Sequence, residues 1–136
     1  MEINLKFKNN GWRYELKCSE NIIGIKGNSG KGKTKLINDL YTAYMDGQIK
    51  REVVVINSEK LFNRMKSTIK PNDIVCVDNL ETFSKDSLNE LSDLIHSYNK
   101  NVIWIEVGHN NWIVECFNSI KTLNIDDRNK RITIKG

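Results

Sequence analysis

Gly27-Asn28-Ser29-Gly30-Lys31-Gly32-Lys33-Thr34 brings three glycines, two lysines and a closing hydroxyl into eight consecutive positions, spaced as G-x-x-x-x-G-K-[ST]. Glycine lets the backbone curl until successive N–H groups point into one concavity, which larger side chains would obstruct. An anion held there also meets the positive end of the helix that follows. The spacing therefore predicts that Gly27, Asn28, Ser29, Gly30, Lys31, Gly32, Lys33, Thr34 and Lys35 bind a nucleoside triphosphate, most readily ATP. Lys33 is expected to reach the β- and γ-phosphates as a catalytic charge. The Thr34 hydroxyl is expected to complete a Mg²⁺ shell shared with phosphate oxygens and water.

Magnesium on a triphosphate needs an anionic partner as well. Ile74-Val75-Cys76-Val77-Asp78 is an apolar run that ends in a carboxylate, so Asp78 is expected beside Thr34 at the metal. A strand-ending aspartate also suits a simple turn; its coupling to the phosphate loop favours the metal role.

The loop must follow a buried strand and open a helix, and its flanks have those patterns. Ile22–Lys26 reads as a strand, and Lys33–Met45 places Leu36, Ile37, Leu40, Tyr41 and Tyr44 at helical spacing before Gly47. Upstream, Ile3, Leu5 and Phe7, then Trp12, Tyr14 and Leu16, alternate with polar residues around Asn9-Asn10-Gly11, the pattern of a hairpin with one buried face. Val53–Ile56 and Ile74–Val77 are short continuous apolar runs of the parallel-strand type. A short helix fits Glu59–Lys66, Pro71-Asn72-Asp73 fits a turn, and a helix capped by Ser84 carries Leu88, Leu91, Leu94 and Ile95. Val102–Val107 is a further strand, Trp112–Phe117 a short helix, Thr122–Ile125 a strand, Asp126–Asn129 a turn and Arg131–Ile134 a closing strand. This alternation indicates an α/β fold with a mainly parallel sheet.

The 136 residues contain one proline, Pro71, and no linker-like or repetitive segment, so a single domain over 1–136 is expected. There is no apolar run of about 18 residues and no signal-peptide pattern; no membrane span and a cytoplasmic location are expected. Cys18, Cys76 and Cys116 are widely spaced and odd in number, which suits reduced thiols acting as small core residues. The net charge of +4 suits a phosphate ligand. Its lysines are scattered along the chain, as on a solvated surface, so the charge allows a nucleic-acid partner but does not indicate one.

The run Ile25–Ile37 resembles the phosphate loop of ABC-type ATPases, and the preceding hairpin resembles their antiparallel β subdomain. Val75-Cys76-Val77-Asp78-Asn79 is similar to the family's Walker B strand, and Ile103-Trp104-Ile105-Glu106-Val107-Gly108-His109-Asn110 to its switch-histidine strand. The resemblance implies a P-loop NTPase fold with a five-stranded sheet in the order Val53, Ile74, Val102, Ile22, Thr122, flanked by helices and preceded by the hairpin. It implies that His109 senses the γ-phosphate and that Trp12 or Tyr14 stacks on adenine, although either aromatic also suits the core.

The chain departs from the family at three places. No LSGGQ-like signature is present, the Ile56–Ile74 gap is too short for the usual helical subdomain, and Asn79 stands where the catalytic glutamate is expected. Asn79 offers no carboxylate to polarise water. Glu59, which resembles the strand-end glutamate of RecA-type ATPases, and Glu81 are the candidate substitutes, with Glu59 slightly ahead; each also reads as a helix-start acid. A minimal ABC-like ATPase with slow hydrolysis, dependent on a protein partner or on self-association, is thus expected. The alternatives are a non-hydrolysing nucleotide-binding switch and a small nucleoside or nucleotide kinase. The dispersed Arg13, Arg51, Arg64, Arg128 and Arg131 argue against the kinase.

Overall fold

Residues 3–26, 32–98, 101–108 and 119–135 are described by the computed structural model. The expected helix at Trp112–Phe117 lies outside them, as does Cys116. The chain opens with the hairpin β1 (Ile3–Asn9) and β2 (Trp12–Cys18). Its two-residue turn puts Asn10 at φ +51° and Gly11 at φ +82°. Both central residues are left-handed, as the turn that matches the twist of paired strands requires, and Asn-Gly accepts that most readily.

Strand β3 (Ile22–Lys26) and helix α1 (Lys33–Met45) flank the phosphate loop. Gly47, at φ +85°, closes the helix by donating to the Tyr44 carbonyl at 3.0 Å. Next come β4 (Val53–Ile56), α2 (Glu59–Met65) with a 3₁₀ turn over Lys66–Thr68, and β5 (Ile74–Val77). Between the last two, Asn72 at φ +75° follows Pro71, and Asp73 donates back to the Lys70 carbonyl at 3.2 Å; this is the turn expected of proline followed by asparagine. A 3₁₀ turn over Leu80–Thr82 leads to α3 (Lys85–Tyr98), where the Ser84 hydroxyl accepts the Ser87 amide at 3.2 Å. Strands β6 (Ile103–Gly108), β7 (Ser119–Asp126) and β8 (Arg131–Lys135) complete the chain.

The eight strands of the described residues join one sheet in the order β1-β2-β8-β7-β3-β6-β5-β4. The five strands from β4 to β7 run parallel in the order expected from the sequence. β8 pairs antiparallel with β7 and parallel with β2, so it fuses the hairpin to the main sheet.

Two cores cover the sheet. On one side, α1 (Leu36, Ile37, Leu40, Ala43) packs on Leu5, Phe7, Leu16, Ile25, Ile105 and Val107. On the other, α2 and α3 (Phe62, Leu91, Ile95) pack on Ile56, Val75, Val77 and Trp104. β4, β5, β6 and β3 are thereby sandwiched, which explains their unbroken apolar runs. β1 instead alternates buried and exposed residues.

Candidate functional site

The site lies at the carboxyl ends of β3, β5 and β6, where open α/β sheets bind ligands. Residues 27–31, and so Gly27, Asn28, Ser29, Gly30 and Lys31, lie outside the described residues. Gly32 caps α1 at φ +83°, and its carbonyl accepts the Leu36 amide at 2.9 Å. A Cβ at this position would lie 3.3 Å from Ile125 Cδ1 and 3.7 Å from Leu123 Cδ1. The left-handed backbone favours glycine here, and an added Cβ would also press on the tip of the Ile125 side chain.

Lys33 begins α1 and is buried. Desolvation lowers its pKa, while the nearby charges of Asp78 and Glu81 act in the opposite direction. The Thr34 hydroxyl donates to Asp78 Oδ2 at 3.1 Å. Asp78 is itself fixed: its amide extends the β5 ladder by donating to the Ile56 carbonyl at 2.9 Å, and its Oδ1 accepts the Asn79 amide at 2.8 Å. The residues expected at the metal, Thr34 and Asp78, are therefore in contact across 44 positions of sequence.

Both oxygens are hard donors of the kind Mg²⁺ takes. Their separation of 3.1 Å is close to the edge of about 2.9 Å in an octahedron with 2.0–2.1 Å metal–oxygen bonds. The donor set fits Mg²⁺ held mainly by phosphate and water.

Asn79 adopts a left-handed conformation, φ +61°, and its side-chain amide donates to the Asn57 carbonyl at 3.1 Å. It ties the end of β5 to the end of β4. The two candidate water-orienting acids sit differently. Glu59 Oε1 accepts the Ser84 amide at 2.7 Å, and hydrogen bonds from Ser84 and Ser87 lower its pKa. Its carboxylate joins the start of α2 to the start of α3. Glu81, on the 3₁₀ turn after Asp78, lies within electrostatic reach of Lys33.

Lys35 turns toward the hairpin, where its ammonium bonds the Asp39 carboxylate and donates to the Tyr14 hydroxyl at 3.1 Å. His109 lies outside the described residues. Of the two candidate adenine-stacking aromatics, Tyr14 is core: it stacks on Phe7 with ring centroids 4.5 Å apart and donates to Asp39. Trp12 is half-buried, with the Lys35 and Lys130 ammonium groups 5.8 and 5.0 Å from its ring centroid.

Two polar residues near the site escaped the sequence reading. Asp39, on the buried side of α1, gathers Tyr14, Lys35 and the Asn9 amide, the last at 2.6 Å. Its signal was present, a lone carboxylate in the helix's apolar stripe. Glu106 sits mid-strand in β6, buried, and its Oε1 has no hydrogen-bond partner among the described residues. Burial raises its pKa well above the ordinary carboxyl value. The only sequence signal was an acid inside an otherwise apolar run.

No family model and no curated protein matches this sequence. Solved structures do share its fold. The RuvB Holliday junction branch migration motor of Thermotoga maritima superposes with a TM-score of 0.57 at 13% identity, over 77% of this chain and 38% of that one. Domain III of the T. maritima replication initiation protein DnaA gives 0.57 at 15% identity, over 79% and 56%. AMPPCP-bound DnaA from Aquifex aeolicus gives 0.52 at 17% identity, over 82% and 43%. The chain thus spans 38% to 56% of the length of these neighbours. Strand order, the strand–loop–helix at Gly32 and these likenesses agree that the chain has an α/β P-loop NTPase fold.

Proposed function

We propose that this chain binds ATP with Mg²⁺ at the phosphate loop and is a minimal ABC-like ATPase whose hydrolysis is slow or depends on a partner. The contact of Thr34 with Asp78, beside the buried Lys33, carries the reading. It supplies one cation for the terminal phosphates and two oxygens for a metal, all from strand and helix ends that packing holds in place. Mg²⁺, when bound, neutralises charge on the phosphates.

Lys33 is poised for electrostatic work. Removed from water, it meets a phosphate oxygen without first shedding a hydration shell. From the motif spacing, we assign phosphate binding to residues 27–31 and γ-phosphate sensing to His109. Glu81 is the better placed of the two acids for orienting water, because Glu59 is engaged by the first turn of α3. The ABC-like character rests on motif order and the fused hairpin, since the fold itself is shared with RuvB and DnaA.

A second reading is favoured by Asn79. Its amide is committed to the Asn57 carbonyl and brings no carboxylate next to Asp78, so the chain would act as a nucleotide-binding switch. Phosphate release separates the two readings. A slow rate that rises with chain concentration or a partner, and falls in Glu81→Gln, supports the ATPase. Zero release with intact ATP binding supports the switch. Fast turnover by the dilute isolated chain contradicts both, and equal rates in wild type, Glu59→Gln and Glu81→Gln remove the assignment of either acid.

A further inference from the structure

The antiparallel half of the sheet gathers charge that the chain order disperses. β1, β2 and β8 turn Lys6, Lys8, Arg13, Lys17 and Arg131 to solvent on one side, each alternating with buried neighbours. Strand register sets Lys8, Arg13 and Arg131 abreast in one row, with Lys6, Glu15 and Thr133 in the next. Adjacent strands lie about 4.8 Å apart and same-face neighbours on a strand about 6.7 Å apart, so Lys6, Lys8, Arg13 and Arg131 form a compact cationic patch.

Among the described residues, the carboxylates on this face are few and already engaged. Glu15 lies 3.6 Å from Arg131, and Asp126 accepts the Asn129 backbone and side-chain amides at 3.1 and 2.8 Å. Lys6, Lys8 and Arg13 form no ion pair among the described residues. A cleft of 460 Å³ opens between Lys6, Lys8, Arg13, Glu15, Gln48 and Arg131. Among the described residues, this face carries five cations against two carboxylates.

We propose that this face is a docking surface for nucleic acid, which it grips through the phosphate backbone with Lys6, Lys8, Arg13 and Arg131. Guanidinium forks suit phosphate oxygens, and the interleaved Asn4, Asn124 and Thr133 add uncharged hydrogen-bonding groups of the kind that contact phosphate and sugar. A membrane surface fits less well. Interfacial binding needs buried apolar area, whereas among the described residues the exposed large apolar side chains are Tyr41 and Met45 on α1, and Ile125 on the opposite face of the sheet. Docking here is independent of the phosphate loop and stands whether or not ATP binds.

Fluorescence anisotropy of the full chain with a labelled single strand and a labelled duplex, across a salt series, tests the proposal. Binding is expected, with log K falling linearly against log salt. The variant K6Q/K8Q/R13Q is expected to bind about tenfold or more weakly, with a slope shallower by about 2, since each phosphate contact contributes about 0.7 to 0.9. Glu15→Gln, which removes the central acid, is expected to tighten binding about two- to threefold. The absence of oligonucleotide binding overturns the proposal. So does an unchanged affinity and slope in the triple variant, or a charge-dependent affinity confined to phosphatidylserine vesicles. Calorimetry of the triple variant with Mg²⁺ and an ATP analogue reports separately on the nucleotide site. Should the triple variant fail to fold, the sign of the Glu15→Gln effect decides.

Discussion

The two halves of the sheet place their chemistry differently. β4, β5, β6 and β3 are covered on both faces, so nearly every position along them is apolar and functional groups are confined to the strand tips, where Asp78 meets Thr34. β1, β2 and β8 are covered on one face, and the other carries polar groups along its whole length. A doubly covered strand can present a site only where it ends, whereas a singly covered strand presents one along its side. Glu106 breaks the rule, a carboxyl group in the middle of a covered strand.

The largest effect expected from this contrast is in the covered half. Trp104→Ala removes a fully buried ring from the side packed by α3 and should cost about 3–5 kcal/mol in chemical unfolding. A loss below about 1 kcal/mol would mean that this face is not packed as described. At the seam between the halves, Asp39→Ala leaves Tyr14, Asn9 and Lys35 without their shared acceptor. A cost of about 1–3 kcal/mol is expected, and a neutral outcome would show that the hairpin docks through apolar contacts alone.

Glu106 gives a pH signature. Its folded pKa is raised, so the folded chain keeps a proton that the unfolded chain releases. The associated stability is complete below the ordinary carboxyl range and is lost progressively as pH rises through it toward the raised folded value. Glu106→Gln should therefore flatten the decline in melting temperature as pH rises above the ordinary carboxyl range; an unaltered profile would show that the carboxyl is not buried neutral. The smallest effect belongs to the open half, where Lys6→Ala should change stability by no more than about 0.5 kcal/mol.

What the sequence discloses follows the range of the interactions involved. Asn10-Gly11, Pro71-Asn72 and the Ser84–Ser87 cap were legible because each is settled within a few residues. The five parallel strands and their order were legible because continuous apolar runs and the motif resemblance constrain them together. Long-range choices were hidden. Nothing near Arg131 shows that its strand will insert between β7 and β2, and so nothing shows Arg131 arriving beside Arg13 and Lys8. Glu59 looked free at a strand end until the fold brought Ser84 to it. Trp12 and Tyr14 alternate in sequence alike, yet only the packing of Phe7 and Asp39 makes Tyr14 core.

Calorimetric titration with a non-hydrolysable ATP analogue, with and without Mg²⁺, tests the nucleotide site most directly. Wild type should give a single-site isotherm that strengthens with Mg²⁺. Lys33→Ala should abolish it, and Asp78→Asn should weaken it about tenfold or more only when Mg²⁺ is present. No heat from the wild type, or an undiminished isotherm in Lys33→Ala, would contradict the proposed assembly of Lys33, Thr34 and Asp78 around a triphosphate.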